Sequence, residues 1–137
     1  MSLRDEIIKN ARECIGVPFR HQGKTMKGMD CRGLLIHAFG KAGLEVNDIK
    51  GYGRDPNPSQ MNAAMLKVCG KVSFNEIEPT DIIYFRFNRR PTHLALYTGK
   101  NSIIHSYLAM RRVVEHEIDR EWINSIVCVY RHKRFLE

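Results

Sequence analysis

A chain of 137 residues, 43% hydrophobic and 27% charged, has the length of one domain able to close its own core, and residues 1–137 are read as a single domain. The net charge of +7 and pI near 9.4 would suit an anionic partner, yet the basic residues are scattered apart from Arg89-Arg90, Arg111-Arg112 and Arg131-His132-Lys133-Arg134, and no nucleic-acid-binding module is present. Nucleic acid is therefore not expected as a partner.

No apolar run reaches membrane-spanning length, and the start Met1-Ser2-Leu3-Arg4-Asp5-Glu6 lacks the basic-then-apolar order of a secretory signal, so the chain is expected to be cytoplasmic as made. Cys14, Cys31, Cys69 and Cys128 form no Cys-x-x-Cys pair, so reduced thiols and no metal site are expected.

In chain order, Ser2 and Asp5 make a capping box, and Leu3, Ile7, Ile8, Ala11, Cys14 and Ile15 recur at helical spacing up to Gly16. From Gly16 to Met29, with Pro18, Gly23 and Gly28, the chain reads as a long loop that could line a site. Asp30 then caps a second helix, whose apolar positions Leu34, Leu35, Ala38, Phe39 and Ala42 form one stripe ending at Gly43. Cys31 is the first residue of that helix, with its sulfur on the inner face. The positive end of the helix dipole should lower the thiol pKa and favour a nucleophilic thiolate. A buried cysteine is as often a plain core residue, so the histidines must decide.

The stretch Gly51-Tyr52-Gly53-Arg54-Asp55-Pro56-Asn57-Pro58 is dense in turn formers, and Ser59 reads as the N-cap of a short helix through Met61, Ala64, Met65 and Val68, with Cys69 structural at its end. Beyond Gly70 the period becomes alternating. After the turn Glu78-Pro79-Thr80-Asp81 comes a strand, Ile82 to Phe87, broken by Asn88-Arg89-Arg90-Pro91. His93 to Thr98, a turn at Gly99-Lys100-Asn101, and Ser102 to Tyr107 form a hairpin. Strands around Val113-Val114 and from Ile126 to Tyr130 follow, separated by a short helix or turn from Asp119 to Trp122. Helices followed by an antiparallel sheet make an α+β domain.

The register of the hairpin decides whether His93 and His105 can cooperate. With a three-residue turn Thr98 pairs with Ser102, Ala95 faces His105 and His93 faces Tyr107, so both imidazoles share a face as diagonal neighbours, roughly 7–8 Å apart at the backbone. A two-residue turn would separate them. A thiol on the inner stripe of a helix and two imidazoles on the sheet supply a nucleophile, a base and a group that orients the base. His93, at the start of its strand, is the better base. His37 should be solvated and uninvolved, while His21, His116 and His132 have no assignable partner.

Gly16-Val17-Pro18-Phe19, Asp30-Cys31-Arg32-Gly33-Leu34-Leu35, Thr80-Asp81-Ile82-Ile83-Tyr84-Phe85, His93-Leu94-Ala95-Leu96-Tyr97-Thr98-Gly99 and Ile103-Ile104-His105-Ser106 together resemble the NlpC-type cell-wall peptidases, a papain-like family of cysteine hydrolases. The resemblance implies a papain-like fold and cleavage of peptide bonds in peptidoglycan stem peptides, typically after γ-linked D-glutamate, with no metal or organic cofactor. It implies Cys31 as nucleophile, His93 as general base, His105 as orienting residue, Asp30 as a substrate-holding neighbour, and an oxyanion site at the start of the helix. Phe19 stands where the family usually has tyrosine, and Arg32 where it commonly has serine. Both positions bear on substrate binding. The compact form and the Tyr52 to Pro58 stretch resemble phage-tail members, which implies phage tail proteins as partners and a virion location. Two other functions fit the same residues: a related amidase or acyltransferase, and a non-catalytic murein-binding or tail-assembly module.

Overall fold

The structure, a computed structural model, describes residues 1–46, 57–86 and 93–136. The expected turn-rich stretch from Gly51 to Pro56, the strand end at Phe87 and the break Asn88-Arg89-Arg90-Pro91 lie outside them.

Helix α1 (Leu3–Arg12) starts at the expected capping box, in which the Ser2 hydroxyl accepts from Asp5 N–H at 3.1 Å while the Asp5 carboxylate accepts from Ser2 N–H. It ends at Arg12, short of Gly16, because Gly16 N–H turns to the Val113 carbonyl and leaves the helical ladder. Cys14 stays fully buried in the turn that follows, and Ile15 is half exposed.

The segment from Gly16 to Met29 is held rather than loose. Pro18 bridges to Arg112, Phe19 bridges to Met29, and β1 (Lys24–Thr25) pairs with β2 (Gly28–Met29). Helix α2 (Cys31–Lys41) follows, with Asp30 as N-cap and Gly43 in the left-handed region at its end.

Helix α3 (Pro58–Met65) is capped by Asn57, not Ser59. A proline in the first turn has no helical N–H to lose, and Gln60 completes a capping box with Asn57.

The strands are β3 (Cys69–Val72), β4 (Ile82–Phe85), β5 (His93–Gly99), β6 (Ser102–Tyr107), β7 (Arg112–Glu117) and β8 (Ile126–His132), with the short helix α4 (Arg120–Asn124) before the last. Cys69 opens a strand rather than closing a helix. These six strands form one antiparallel sheet in the order β3-β8-β4-β5-β6-β7.

Alternation gives the sheet two apolar faces. Ile82, Tyr84, Leu94, Leu96, Ile104 and Val113 pack on α1 and α2. Ile83, Phe85, Ala95, Ile103 and Val129 pack on Ile118 and Trp122 on the other side. Across the β4 entry, Arg131 donates two hydrogen bonds of 2.9 Å to the fully buried Asp81 carboxylate. That fork raises the guanidinium pKa further and fixes the turn before β4. Among the described residues no helix is long and apolar enough to cross a membrane.

The hairpin differs from expectation at its tip. Gly99 pairs with Ser102 around a two-residue turn, Lys100-Asn101, whose φ angles are 52° and 61°. A two-residue turn alone would put the histidines on opposite faces. A bulge between Tyr97 and Gly99 adds one residue to β5, so that Tyr97 pairs with Ile103 and Leu96 with Ile104. The extra residue restores the register in which His93 and His105 share a face.

Candidate active site

The site begins with the cap of α2. Asp30 is buried, and its two oxygens accept from Gly33 N–H at 2.8 Å and from Gln22 N–H at 3.0 Å, so one carboxylate holds both the helix start and the loop beside it. The fit depends on Gly33. A Cβ there would lie 1.9 Å from the Gly23 carbonyl oxygen, which also accepts from Asp30 N–H at 3.0 Å. Ser106 on β6 donates to the Met29 carbonyl at 2.6 Å, tying the turn before Cys31 to the strand that carries His105.

Cys31 is 6% exposed. The backbone N–H groups of Leu94, the residue after His93, and of Arg32 face its sulfur closely enough to favour the thiolate slightly. The β5–β6 ladder ends at Leu96 and Ile104, before it reaches Leu94, which leaves that N–H for the sulfur. The thiol thus meets the sheet at the residue that follows the candidate base.

The expected thiolate is not the resting state. Burial pushes the Cys31 thiol up to about 11, while the Arg32 charge and the two backbone donors pull only partly against it. Desolvation outweighs the helix terminus because the sulfur is enclosed by the core.

His93 Nε2 and His105 Nδ1 lie 2.5 Å apart, with ring centroids separated by 4.7 Å. Burial, then the Arg32 charge, then His116 hold the His93 imidazole down to about 3. His105 is fully buried and is held well below its ordinary value by burial, then by His93 and His116. Both rings are therefore neutral near pH 7.

Tyr107 and Trp122 enclose them. Tyr107 stacks on His105 at 5.1 Å, and Trp122 meets His93 at 5.9 Å and His105 at 5.0 Å. Sequence reasoning assigned neither aromatic residue to the site. The expected pairing of His93 with Tyr107 was the signal for Tyr107, and those rings lie 5.6 Å apart; nothing local marks Trp122.

His116 was also missed. It lies on β7 and does have partners: its Nε2 is 2.8 Å from His105 Nε2, while its Nδ1 is 2.8 Å from the Glu117 carbonyl oxygen. Val114 pairs with His105 and His116 with Ile103, so the same alternation that joins His93 to His105 extends one strand further. His132 likewise has partners. It is buried on β8, hydrogen-bonded to the Glu45 carbonyl and stacked on Phe39, away from the thiol. His37 is half-buried on α2.

Of the other expected binding residues, Arg32 is 7% exposed, and its charge acts on both Cys31 and His93. It favours the thiolate and disfavours the imidazolium. Phe19 is half-buried, and its N–H donates to the Arg111 carbonyl at 2.9 Å. Among the described residues no group of three or more His, Cys, Asp or Glu is arranged to hold a metal ion; the three imidazoles run in a line instead of converging.

Known proteins are similar to this chain. The family described as NlpC/P60 matches residues 16–131. A protein of Corynebacterium glutamicum named "Probable endopeptidase" is 26% identical over 121 residues, covering 88% of this chain and 51% of that protein. The "Gamma-DL-glutamyl hydrolase" of Bacillus subtilis is 29% identical over 105 residues, 73% of this chain but only 22% of its own length. The chain thus spans about half of the first relative and about a fifth of the second. Among solved structures, RipD of Mycobacterium tuberculosis, described as a non-catalytic NlpC/p60 domain protein adapted to peptidoglycan binding, superposes with a TM-score of 0.69 at 20% identity, covering 97% of this chain and 98% of that one.

Proposed function

From the premise that this chain belongs to the NlpC/P60 family, we propose that it is a cysteine peptidase acting on peptidoglycan stem peptides, cleaving next to γ-linked D-glutamate. The observation that carries this reading is the meeting of the Cys31 sulfur with the N–H of Leu94, beside a His93 already oriented by His105. The name of the B. subtilis relative supports the γ-glutamyl preference.

Because His93 Nε2 is engaged with His105, Nδ1 is the ring nitrogen left to receive a proton. With the thiol pushed up and the imidazole pushed down, the reaction starts from a neutral pair, and the proton leaves sulfur as sulfur attacks. The S–H proton moves to His93 Nδ1 while the S–C bond forms and the carbonyl oxygen takes the negative charge. The N–H of Cys31, at the first position of α2, stabilises that oxyanion, aided by the helix N-terminus. His93 returns the proton to the leaving nitrogen, the C–N bond breaks, and a thioester remains. Water then attacks the thioester, passing its proton to His93, and the acid product leaves as the thiol is restored.

Arg32, buried against Cys31 and His93, places a fixed positive charge at the site that suits a substrate carboxylate.

The test is hydrolysis of purified stem peptides containing γ-D-glutamyl bonds, read by mass spectrometry. Wild type is expected to release two fragments, and Cys31→Ala none. A product cut elsewhere would favour an amidase or acyltransferase. The second reading is a non-catalytic binding module, as RipD is described: wild type and Cys31→Ala would then bind murein sacculi equally and neither would cut.

A further inference from the structure

We propose that His116 is a positioning residue that sets the tautomer of the base through His105, an inference that rests on the peptidase reading above. The Glu117 carbonyl oxygen can only accept, so the His116 nitrogen 2.8 Å from it, Nδ1, carries the proton. In its neutral form His116 presents a bare Nε2, and the His105 nitrogen 2.8 Å away, Nε2, must then donate to it. That leaves His105 Nδ1 bare, and His93 Nε2 must donate in turn. The sequence ends at His93 Nδ1, which is bare and ready to accept the thiol proton. One backbone carbonyl thus fixes three rings in order.

His105 alone does not suffice. A neutral imidazole has two tautomers, and the opposite one would donate from His105 Nδ1 to His93 Nε2 and put the His93 proton on Nδ1, where the thiol proton has to go. What excludes it is an acceptor at His105 Nε2. His105 is fully buried, and the rings around it are His93, Tyr107, His116 and Trp122. Of its two ring nitrogens, Nε2 faces His116, so His116 makes the choice.

Two substitutions separate positioning from plain packing. His116→Leu fills the space but removes the acceptor, while His116→Gln restores an acceptor oxygen near the position of Nε2. With ¹⁵N-labelled histidine, NMR is expected to show wild type with His93 protonated at Nε2 and bare at Nδ1. Gln should keep that pattern, and Leu should reverse or mix it. On stem peptides Leu is expected to lower kcat by about 10–100-fold, the range of lost outer-shell partners, with KM unchanged. Gln should stay within a few-fold of wild type and match Leu in thermal stability.

A wild-type His93 carrying its proton on Nδ1, or a Leu variant with the wild-type tautomers, would overturn the proposal. The NMR readout needs no turnover. If wild type cleaves no stem peptide, the reaction reading fails while the tautomers still decide the role of His116.

Discussion

Ser106 and Met29, 77 positions apart, are joined by a 2.6 Å hydrogen bond from hydroxyl to carbonyl, buried on both sides. Met29 precedes the cap of the thiol helix and Ser106 follows His105, so this bond spans the two halves of the candidate site. Ser106→Ala removes one of two donors to the Met29 carbonyl, which keeps the Arg20 N–H at 3.2 Å, and is expected to cost about 0.5–1.5 kcal/mol in urea unfolding. Peptide hydrolysis should fall more in kcat than in KM, because thiol and imidazole lose their shared anchor. Unchanged stability and kcat would show that the two elements hold without it.

Cys14, Cys31 and Cys69 are all pushed up by burial, to about 11, 11 and 12. Of these three, Cys31 is the one that meets the sheet next to His93, whereas Cys69 lies on β3 opposite His132, a ring engaged with the Glu45 carbonyl. In a Cys128→Ser background at pH 7, iodoacetamide is expected to label Cys31 ahead of the other two, and His93→Ala should erase that lead. Equal labelling of all three in wild type would count against His93 as the base.

The pH dependence follows from His93 being held down to about 3 against an ordinary 6.5. Between those values the unfolded chain binds a proton there that the folded chain refuses, so stability rises with pH across that window. The contribution is fully present above about 6.5 and is lost as pH falls toward 3. The urea midpoint should therefore drop on acidification from pH 6.5, and His93→Phe should flatten that drop. The acid limb of kcat/KM should lie below 6.5, and a limb at or above 6.5 would contradict the buried, neutral base.

Gly33→Ala tests the fit of α2 against its neighbouring loop. The new Cβ would lie 1.9 Å from the Gly23 oxygen, an approach that backbone must move to relieve. Overpacking of this kind costs about 1–3 kcal/mol, read as a lowered Tm. Labelling of Cys31 should change as the helix start is displaced, whereas Gly40→Ala, with open space at its Cβ, should leave it unchanged.

Much of the arrangement is legible in the sequence because it depends on short-range periodicity. Asp30 as a cap and Cys31 at the first helical turn follow from one apolar stripe, and the shared face of His93 and His105 follows from alternation. That last inference reaches the right face by a different route. The tip is a two-residue turn, and the bulge at Thr98 supplies the missing residue. Local composition does not distinguish one long turn from a tight turn plus a bulge, since both absorb the same number of residues.

What escapes the sequence is tertiary. The direction of the Cys31 shift depends on how deeply the sulfur is enclosed, which the helix-terminus argument does not contain. The role of His116 depends on the β6–β7 register, set by the turn from Leu108 to Arg111, where Arg111 takes the left-handed φ of 59°. The cap of α3 moves from Ser59 to Asn57 because a proline in the first turn reads as a loop former until its helix is seen.

The chain has a single tryptophan, and it lies against all three imidazoles, at 5.9, 5.0 and 5.5 Å from His93, His105 and His116. An indole in van der Waals reach of an imidazole is quenched when that ring becomes cationic. The emission of this one indole, excited selectively over the five tyrosines, is thus a built-in optical probe of the protein's own proton traffic, needing no label.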